Sequence, residues 1–161
     1  MSREPQERDV TLVLAFLNTV DAELGTDLLD DPAGWRAWVQ QRGLGEPAGT
    51  AEQARSARDA LRDTLTGADG GDWPGVTVTA RVEGGSPALA AAGAVATILA
   101  AAVRLAVSGA WDRLKICPAS DCRWAFYDRS RNRSRSWCSM QVCGNRDKAR
   151  AFRERARQAK D

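Results

Sequence analysis

All four cysteines of the chain lie in its last third, in two pairs of equal spacing. Cys117 and Cys122 form the first pair, and Cys138 and Cys143 form the second. Two pairs of thiolates on either side of a short segment are typical of a zinc ion held in a closed tetrahedron. The sequence therefore predicts one structural Zn²⁺ bound by these four side chains.

Two disulfide bonds could use the same four cysteines. Disulfides persist in oxidising compartments, which a chain reaches through a signal peptide. The first twenty residues carry Glu4, Glu7 and Asp9, where a signal peptide would need a basic and then an apolar stretch. The pattern favours zinc over disulfides and a cytoplasmic protein.

The chain contains no histidine. This absence removes the Ser-His and Cys-His nucleophile pairs and the usual general base near neutral pH. A catalytic zinc would also keep one coordination position open, whereas four cysteines fill the tetrahedron. We expect no enzymatic activity and a metal that is structural.

Charge is distributed unequally along the chain. Residues 1–112 contain 9 Lys and Arg against 16 Asp and Glu, whereas residues 113–161 contain 14 against 5. A short segment with such a basic excess is expected to bind phosphate groups or an acidic protein surface. The acidic front part cannot bind nucleic acid in this way.

The front part carries the signals of three helices. Apolar residues at helical spacing over 9–20 predict a first helix with Asp9 as its N-cap. Asp31 followed by Pro32 predicts the start of a second helix, which Gly43 ends. The third helix, over 51–66, has a capping box formed by Thr50 and Gln53 before it and Gly67 after it.

A hairpin and a fourth helix follow. Alternation of Val and polar residues over 76–82 predicts a half-buried strand, and Gly84-Gly85 suits a tight turn into a second strand over 86–90. An alanine-rich helix is expected over 91–107. The charge-free run over 85–103 approaches membrane-spanning length, but its alanine content favours a buried helix and no membrane partner.

The last third combines short strands with a basic helix. Strands are expected at 114–116 and 124–127, a loop at 128–136, and a helix over 142–158 that begins near Cys143. The fold class is therefore α+β. A mainly helical N-terminal domain with a small β-hairpin occupies residues 1–110, and a treble-clef-like zinc finger with four cysteine ligands occupies residues 111–161.

The segment 116–146 closely resembles the CGNR zinc finger, whose name is the tetrapeptide that stands here as Cys143-Gly144-Asn145-Arg146. In that family the finger follows an N-terminal domain called ABATE. Phe16-Leu17-Asn18-Thr19-Val20-Asp21 resembles the start of that domain, although this front part is shorter between its middle helices. The resemblance implies a stress-induced transcription regulator that binds DNA.

Two groups of side chains could contact nucleic acid, because arginine's planar fork suits phosphate oxygens and guanine edges. On the last helix, one stripe is basic and a neighbouring stripe of Ala149, Phe152, Ala156 and Ala159 is expected to pack. The alternative is a solvated face or one docked on the acidic front domain. The candidate contacts are Arg129, Arg131, Arg133 and Arg135 of the loop, and Asn145, Arg146, Arg150, Arg153 and Arg157 of the helix.

Three functions remain open at this point. The first is a zinc-dependent DNA-binding transcription regulator whose front domain senses a signal or forms a homo-oligomer. The second is an adaptor that presents the basic zinc module to an acidic protein partner. The third is a thiol-based redox switch in which oxidants eject zinc from the four cysteines.

Overall fold

The computed structural model describes residues 3–68 and 75–158. Within these ranges the fold is α+β, as predicted, with five α-helices and three two-stranded antiparallel sheets. The helices are α1 (Arg3–Leu17), α2 (Pro32–Gln41), α3 (Ala51–Thr66), α4 (Ala94–Val107) and α5 (Asn145–Gln158). The strands pair as β1 (Val20–Asp21) with β2 (Thr26–Asp27), β3 (Val78–Glu83) with β4 (Ser86–Ala91), and β5 (Leu114–Ile116) with β6 (Ala125–Tyr127).

Helix α1 begins earlier than the sequence pattern indicated. Asp9 lies inside the helix and is not its N-cap, so that prediction is wrong. The residues before Asp9 are mostly good helix formers, and Pro5 is tolerated because it lies in the first turn. The Asp9 carboxylate accepts hydrogen bonds from Arg104 Nε and Nη2 at 2.8 and 2.6 Å. Asp9 therefore pairs with Arg104 of α4 and does not cap α1.

The caps of α2 and α3 are confirmed. Asp31 accepts a hydrogen bond from the Ala33 amide at 2.9 Å, and Pro32 is the first residue of α2. Thr50 and Gln53 exchange the two hydrogen bonds of a capping box, both 3.1 Å long. Local side-chain bonds therefore fix where these two helices begin.

The β3–β4 hairpin turns at the predicted glycines. Glu83 pairs with Ser86, and both Gly84 and Gly85 have positive φ angles, of 57° and 82°. Strand β4 extends to Ala91, so α4 begins at Ala94 and not at the predicted residue 91. Part of the predicted turn before β3 (residues 69–74) lies outside the described residues.

The main hydrophobic core is formed by α1, α2, α3 and α4. Phe16, Trp35 and Trp38 lie against one another in it, with the two indole rings stacked at 5.3 Å. Small buried residues of α4, mostly alanine, let this helix lie close to α1. Leu114 of β5 and Ala125 of β6 also belong to this core. The core therefore continues past residue 110, whereas the domain boundary placed there stays a prediction.

None of the helices within residues 3–68 and 75–158 is long and apolar enough to span a membrane.

A buried ion pair joins the β1–β2 turn region to α3. Arg58 has 2% of its surface exposed, and its guanidinium contacts the Asp27 carboxylate with nitrogen to oxygen distances of 2.6 and 2.9 Å. Arg58 Nη1 also donates to Thr19 Oγ1 at 3.2 Å. Although burial alone would raise the pKa of Asp27, the hydrogen bond from Arg58, the Leu29 amide and the charges of Arg58 and Arg55 lower it. The carboxylate therefore stays ionised inside the fold.

We predict that Arg58→Met lowers the free energy of unfolding by about 3–5 kcal/mol, because it leaves the buried Asp27 charge without its main partner. Urea unfolding at neutral pH measures the change. Arg36→Met, on the exposed surface of α2, is the matched control and should change stability by less than about 0.5 kcal/mol. Equal stability of the two variants would contradict the role given to this pair.

Candidate metal centre and nucleic-acid interface

Short local structures place the four cysteines. Cys117 directly follows β5, and its amide donates to the Trp124 carbonyl at 2.9 Å, which closes the β5–β6 hairpin. The Cys122 amide donates to the Ala119 carbonyl at 3.0 Å, so the first pair lies on a tight knuckle. Cys143 lies in a π-helical turn, Met140–Gly144, immediately before α5. A knuckle, a hairpin and a helix start are the parts of the predicted treble-clef-like finger.

The four sulfur atoms form one cluster. All lie within 4.8 Å of one another, and Cys138 Sγ is 3.5 Å from Cys122 Sγ and 3.6 Å from Cys143 Sγ. Zinc–sulfur bonds of about 2.3 Å in a tetrahedron put sulfurs about 3.8 Å apart, whereas a disulfide needs about 2.05 Å. The cluster fits one structural zinc ion, as predicted, and all four cysteines are free of disulfides.

Electrostatics of the cluster also favours a cation. Burial and the sulfurs of Cys122, Cys143 and Cys117 raise the pKa of Cys138, because neighbouring thiolates would repel one another. A divalent ion bound at the centre offsets that repulsion and keeps all four thiolates ionised. The zinc ion would supply no open coordination position for chemistry.

The residues after the last cysteine each have a local structural role. A Cβ on Gly144 would lie 2.5 Å from Met140 Sδ and 3.3 Å from Trp137 Cδ1, so a larger residue there would have to displace the Met140 side chain. Asn145 Nδ2 donates to the Gln141 carbonyl at 3.0 Å. Arg146 Nη2 lies 3.8 Å from Cys143 Sγ, and its Nη1 contacts Asp121 at 3.0 Å and Glu23 at 3.3 Å. Arg146 therefore connects the metal cluster to the front domain.

A buried carboxylate organises the arginine-rich loop. Asp128 is fully buried, and it accepts hydrogen bonds from Lys115 Nζ at 2.7 Å and from the amides of Ser130 and Arg135 at 2.8 and 2.9 Å. Burial alone would raise its pKa, but the bonds from Lys115, Ser130 and Arg135 lower it well below the usual range. Lys115 also donates to the carbonyls of Arg133 and Arg135 at 2.6 and 2.9 Å. The loop therefore has a fixed course, which the sequence did not indicate.

The four loop arginines do not share one environment. Arg135 is exposed, but its guanidinium lies 5.1 Å from the centre of the Phe126 ring and donates to the carbonyls of Trp137 and Cys138. Arg133 is exposed and pairs with Asp112 at 3.2 Å. Arg129 and Arg131 are exposed as well. Nucleic-acid binding by this loop stays a prediction. Arg135 also stabilises the backbone of the finger through its two carbonyl contacts.

The aromatic residues of the finger also differ in their environments, some packed beside the cysteines and one exposed. Phe126 and Trp137 lie in a small core with Cys117, Ala119 and Cys143, as expected for residues that exclude water from the metal. Trp124, by contrast, has 40% of its surface exposed and lies outside this core. Trp124 precedes the first residue of β6, so the alternation of that strand does not place it on the face of Phe126.

On helix α5, the face that was predicted to pack is exposed, as the basic face is. Phe152 is 67% exposed and Ala149 is exposed, so the expected packing stripe does not pack on the described part of the chain. The side chain of Ala156 and all of Ala159 lie outside the described residues. Phe152 is the one large apolar side chain in the sequence of this helix, which is too little to hold it against a neighbour. Along it, Arg150 pairs with Asp147 at 2.7 Å, and Arg153 and Arg157 are exposed.

The finger is fastened to the front domain by two polar side chains that sequence reasoning did not select. Asn18 at the end of α1 pairs with the backbone of Ala125 in β6, accepting its amide at 2.7 Å and donating to its carbonyl at 2.9 Å. Arg62 of α3 donates to the Leu17 carbonyl at 2.7 Å and to the Arg123 carbonyl at 2.6 Å. Asn18 lies within the ABATE-like motif 16–21, and this motif is the one feature of the sequence that could have pointed to its role.

Comparisons with known protein families identify both parts of the chain. Residues 113–156 match the model of the CGNR zinc finger. Residues 11–121 match the model of the ABATE domain, described as "Putative stress-induced transcription regulator". None of the curated proteins compared with the chain matches it significantly. The two matched ranges overlap at residues 113–121, where β5 and the first cysteine lie.

We predict that Cys143→Ser abolishes binding of one zinc ion per chain and the folded structure of the finger, because metal-binding energy is folding energy in such modules. Zinc content by atomic emission and the near-ultraviolet circular dichroism of the aromatic side chains, Trp137 among them, measure the two effects. Removal of zinc from the unsubstituted chain with a chelator should give the same spectrum. A serine variant that keeps both its zinc and its spectrum would contradict a four-cysteine site.

We also predict that Asp128→Asn lowers the urea midpoint of unfolding at pH 7, because Lys115 loses its ionised partner while the side-chain shape is kept. The folded-state pKa of Asp128 is depressed, so its contribution is complete above the unfolded value of about 4 and is lost as pH falls below it. The difference between the two proteins should therefore shrink below about pH 4. The unsubstituted chain and the Asp128→Asn variant are compared at the same pH, so that any loss of zinc in acid affects both proteins equally. A difference that stays constant down to about pH 2 would contradict an ionised Asp128.

Proposed function

Because the chain belongs to the ABATE family and carries a CGNR zinc finger, we propose that it is a DNA-binding transcription regulator of the cytoplasm with no catalytic activity. The zinc ion holds the finger together, and the finger binds DNA through arginine side chains. The front domain carries the regulatory signal or forms a homo-oligomer. The observation that supports this most directly is the basic excess of residues 113–161 on a finger of fixed shape.

The arginines divide into two groups by their contacts. Arg135 and Arg146 are committed to backbone carbonyls, carboxylates and Cys143, so their role is to shape the finger. The other six candidate arginines are exposed, and they are the ones available to phosphates. They are Arg129, Arg131 and Arg133 on the loop and Arg150, Arg153 and Arg157 on α5.

Helix α5 is the element best suited to enter a DNA groove. It is 14 residues long, starts at the metal cluster, and its described side chains after residue 149 are exposed or half-buried. A helix that does not pack on its own protein can approach the major groove without rearrangement. The loop would then contact the phosphate backbone beside that groove and set the orientation of the finger.

We predict that the double variant Arg150→Ala/Arg153→Ala binds duplex DNA more weakly and lowers the slope of log affinity against log salt by about 2, one unit for each lost phosphate contact. Fluorescence anisotropy of a labelled random duplex across a salt series measures both quantities. Zinc content should not change, because the four cysteines hold the metal and Arg150 pairs with Asp147.

The control is Arg8→Ala/Arg36→Ala, which removes the same charge from exposed helix positions of the front domain. Its salt slope should equal that of the unsubstituted chain. If both double variants bind alike, α5 is not the DNA-binding element. If the unsubstituted chain does not bind DNA even at low salt, an acidic protein partner becomes the better assignment for the basic finger.

A further inference from the structure

A cleft of about 1110 Å³ lies between the front domain and the finger. One side is formed by the last turns of α1 and by α2, and the other side by β6 and the start of the arginine-rich loop. Leu14, Ala15 and Trp38 contribute its apolar surface from the front domain, and Phe126 and Tyr127 contribute from the finger. Ligand sites usually have volumes of about 300–1,000 Å³ and combine an apolar lining with a few polar groups, so this cleft is slightly larger than most.

Three arginines line this cleft, and each lies over an aromatic ring of the same cleft. The Arg42 guanidinium is 4.0 Å from the Trp38 ring centre, that of Arg129 is 5.9 Å from Tyr127, and that of Arg135 is 5.1 Å from Phe126. Arg135 already donates to two carbonyls. The other two cations remain for a ligand.

Arg42 is the cation with the least compensation. Across residues 3–68 and 75–158, no carboxylate oxygen lies within 4.0 Å of its guanidinium nitrogens, whereas Arg129 has Glu7 at 4.0 Å. Burial lowers the pKa of Arg42. Arg42 is an exposed residue whose guanidinium is held against the Trp38 indole, and an added anion would stabilise this cation.

The acidic side of the cleft restricts which anion fits. Asp27 is paired with Arg58 and Arg55, and Asp30 with Arg55. Asp21 and Asp31 accept bonds from backbone amides. These carboxylates do not neutralise Arg42, but their charge disfavours a polyanion such as a phosphate ester or nucleic acid. A single negative charge on an apolar body suits the cleft better.

We propose that the cleft binds a small aromatic monocarboxylate. The carboxylate pairs with the fork of Arg42, which lies over Trp38, and the ring lies against Tyr127. Such a ligand contacts α2 of the front domain and β6 of the finger at once. Its binding therefore changes the energy of the contact between the two parts of the chain.

The test measures binding of benzoate to the zinc-loaded chain by tryptophan fluorescence and by calorimetry. Benzamide is the neutral probe of the same shape, and benzyltrimethylammonium is the cationic probe. Benzoate should bind saturably, and benzamide at least about tenfold more weakly, because it lacks the charge that Arg42 contacts. No DNA is present, so the result is independent of the DNA-binding proposal.

Arg42→Gln should weaken benzoate binding about tenfold, because it removes the charge and keeps most of the side-chain length. Arg36→Gln, at an exposed position of α2 outside the cleft, is the matched control and should bind as the unsubstituted chain does. Zinc content and circular dichroism establish that both variants are folded. Absence of saturable benzoate binding at millimolar concentration overturns the proposal. Equal binding of benzamide, preference for the cationic probe or an unaffected Arg42→Gln variant would do the same.

Discussion

Repulsion among four neighbouring thiolates is the constraint on which the finger depends. The cysteines come from a knuckle after β5 and from a turn before α5, and only a bound cation makes their approach favourable. Once the ion is bound, the segment between the two pairs becomes a closed loop, and Asp128 then fixes its course through Lys115. The start of α5 is fixed by the same event. Metal binding thus determines where the basic side chains lie.

Charge counted along the sequence overestimates the charge that the surface presents. The structure uses Arg135 and Arg146 to satisfy carbonyls, carboxylates and a thiolate, and Arg62 to join α1 to the finger. Arginine can do this because its five donors reach several acceptors at once. The remaining exposed arginines carry the DNA-binding proposal. Arg42, on the front domain, carries the separate proposal of a carboxylate site.

Local rules predicted the parts of the fold that have local causes. The spacing of the cysteines, the caps of α2 and α3 and the Gly84-Gly85 turn each depend on neighbouring residues, and each is confirmed. Predictions failed where a distant partner decides. Asp9 is held by Arg104 of α4, and Phe152 is exposed where packing was expected. Asn18 pairs with the distant backbone of Ala125, and Asp128 pairs with the Lys115 side chain across the β5–β6 hairpin. No spacing in the sequence reveals these two contacts.

Strand β6 is only three residues long, yet consecutive residues in it serve two different interiors: Ala125 belongs to the core of the helices, and Phe126 to the core beside the metal. The finger is therefore not an interchangeable cassette. If the finger were joined to an unrelated front domain, one side of β6 would be exposed. If the front domain ended at residue 110, it would lose Leu114 and Ala125 from its core. Separation of the two parts would therefore leave the core of the helices incomplete and uncover the strand that it shares with the finger.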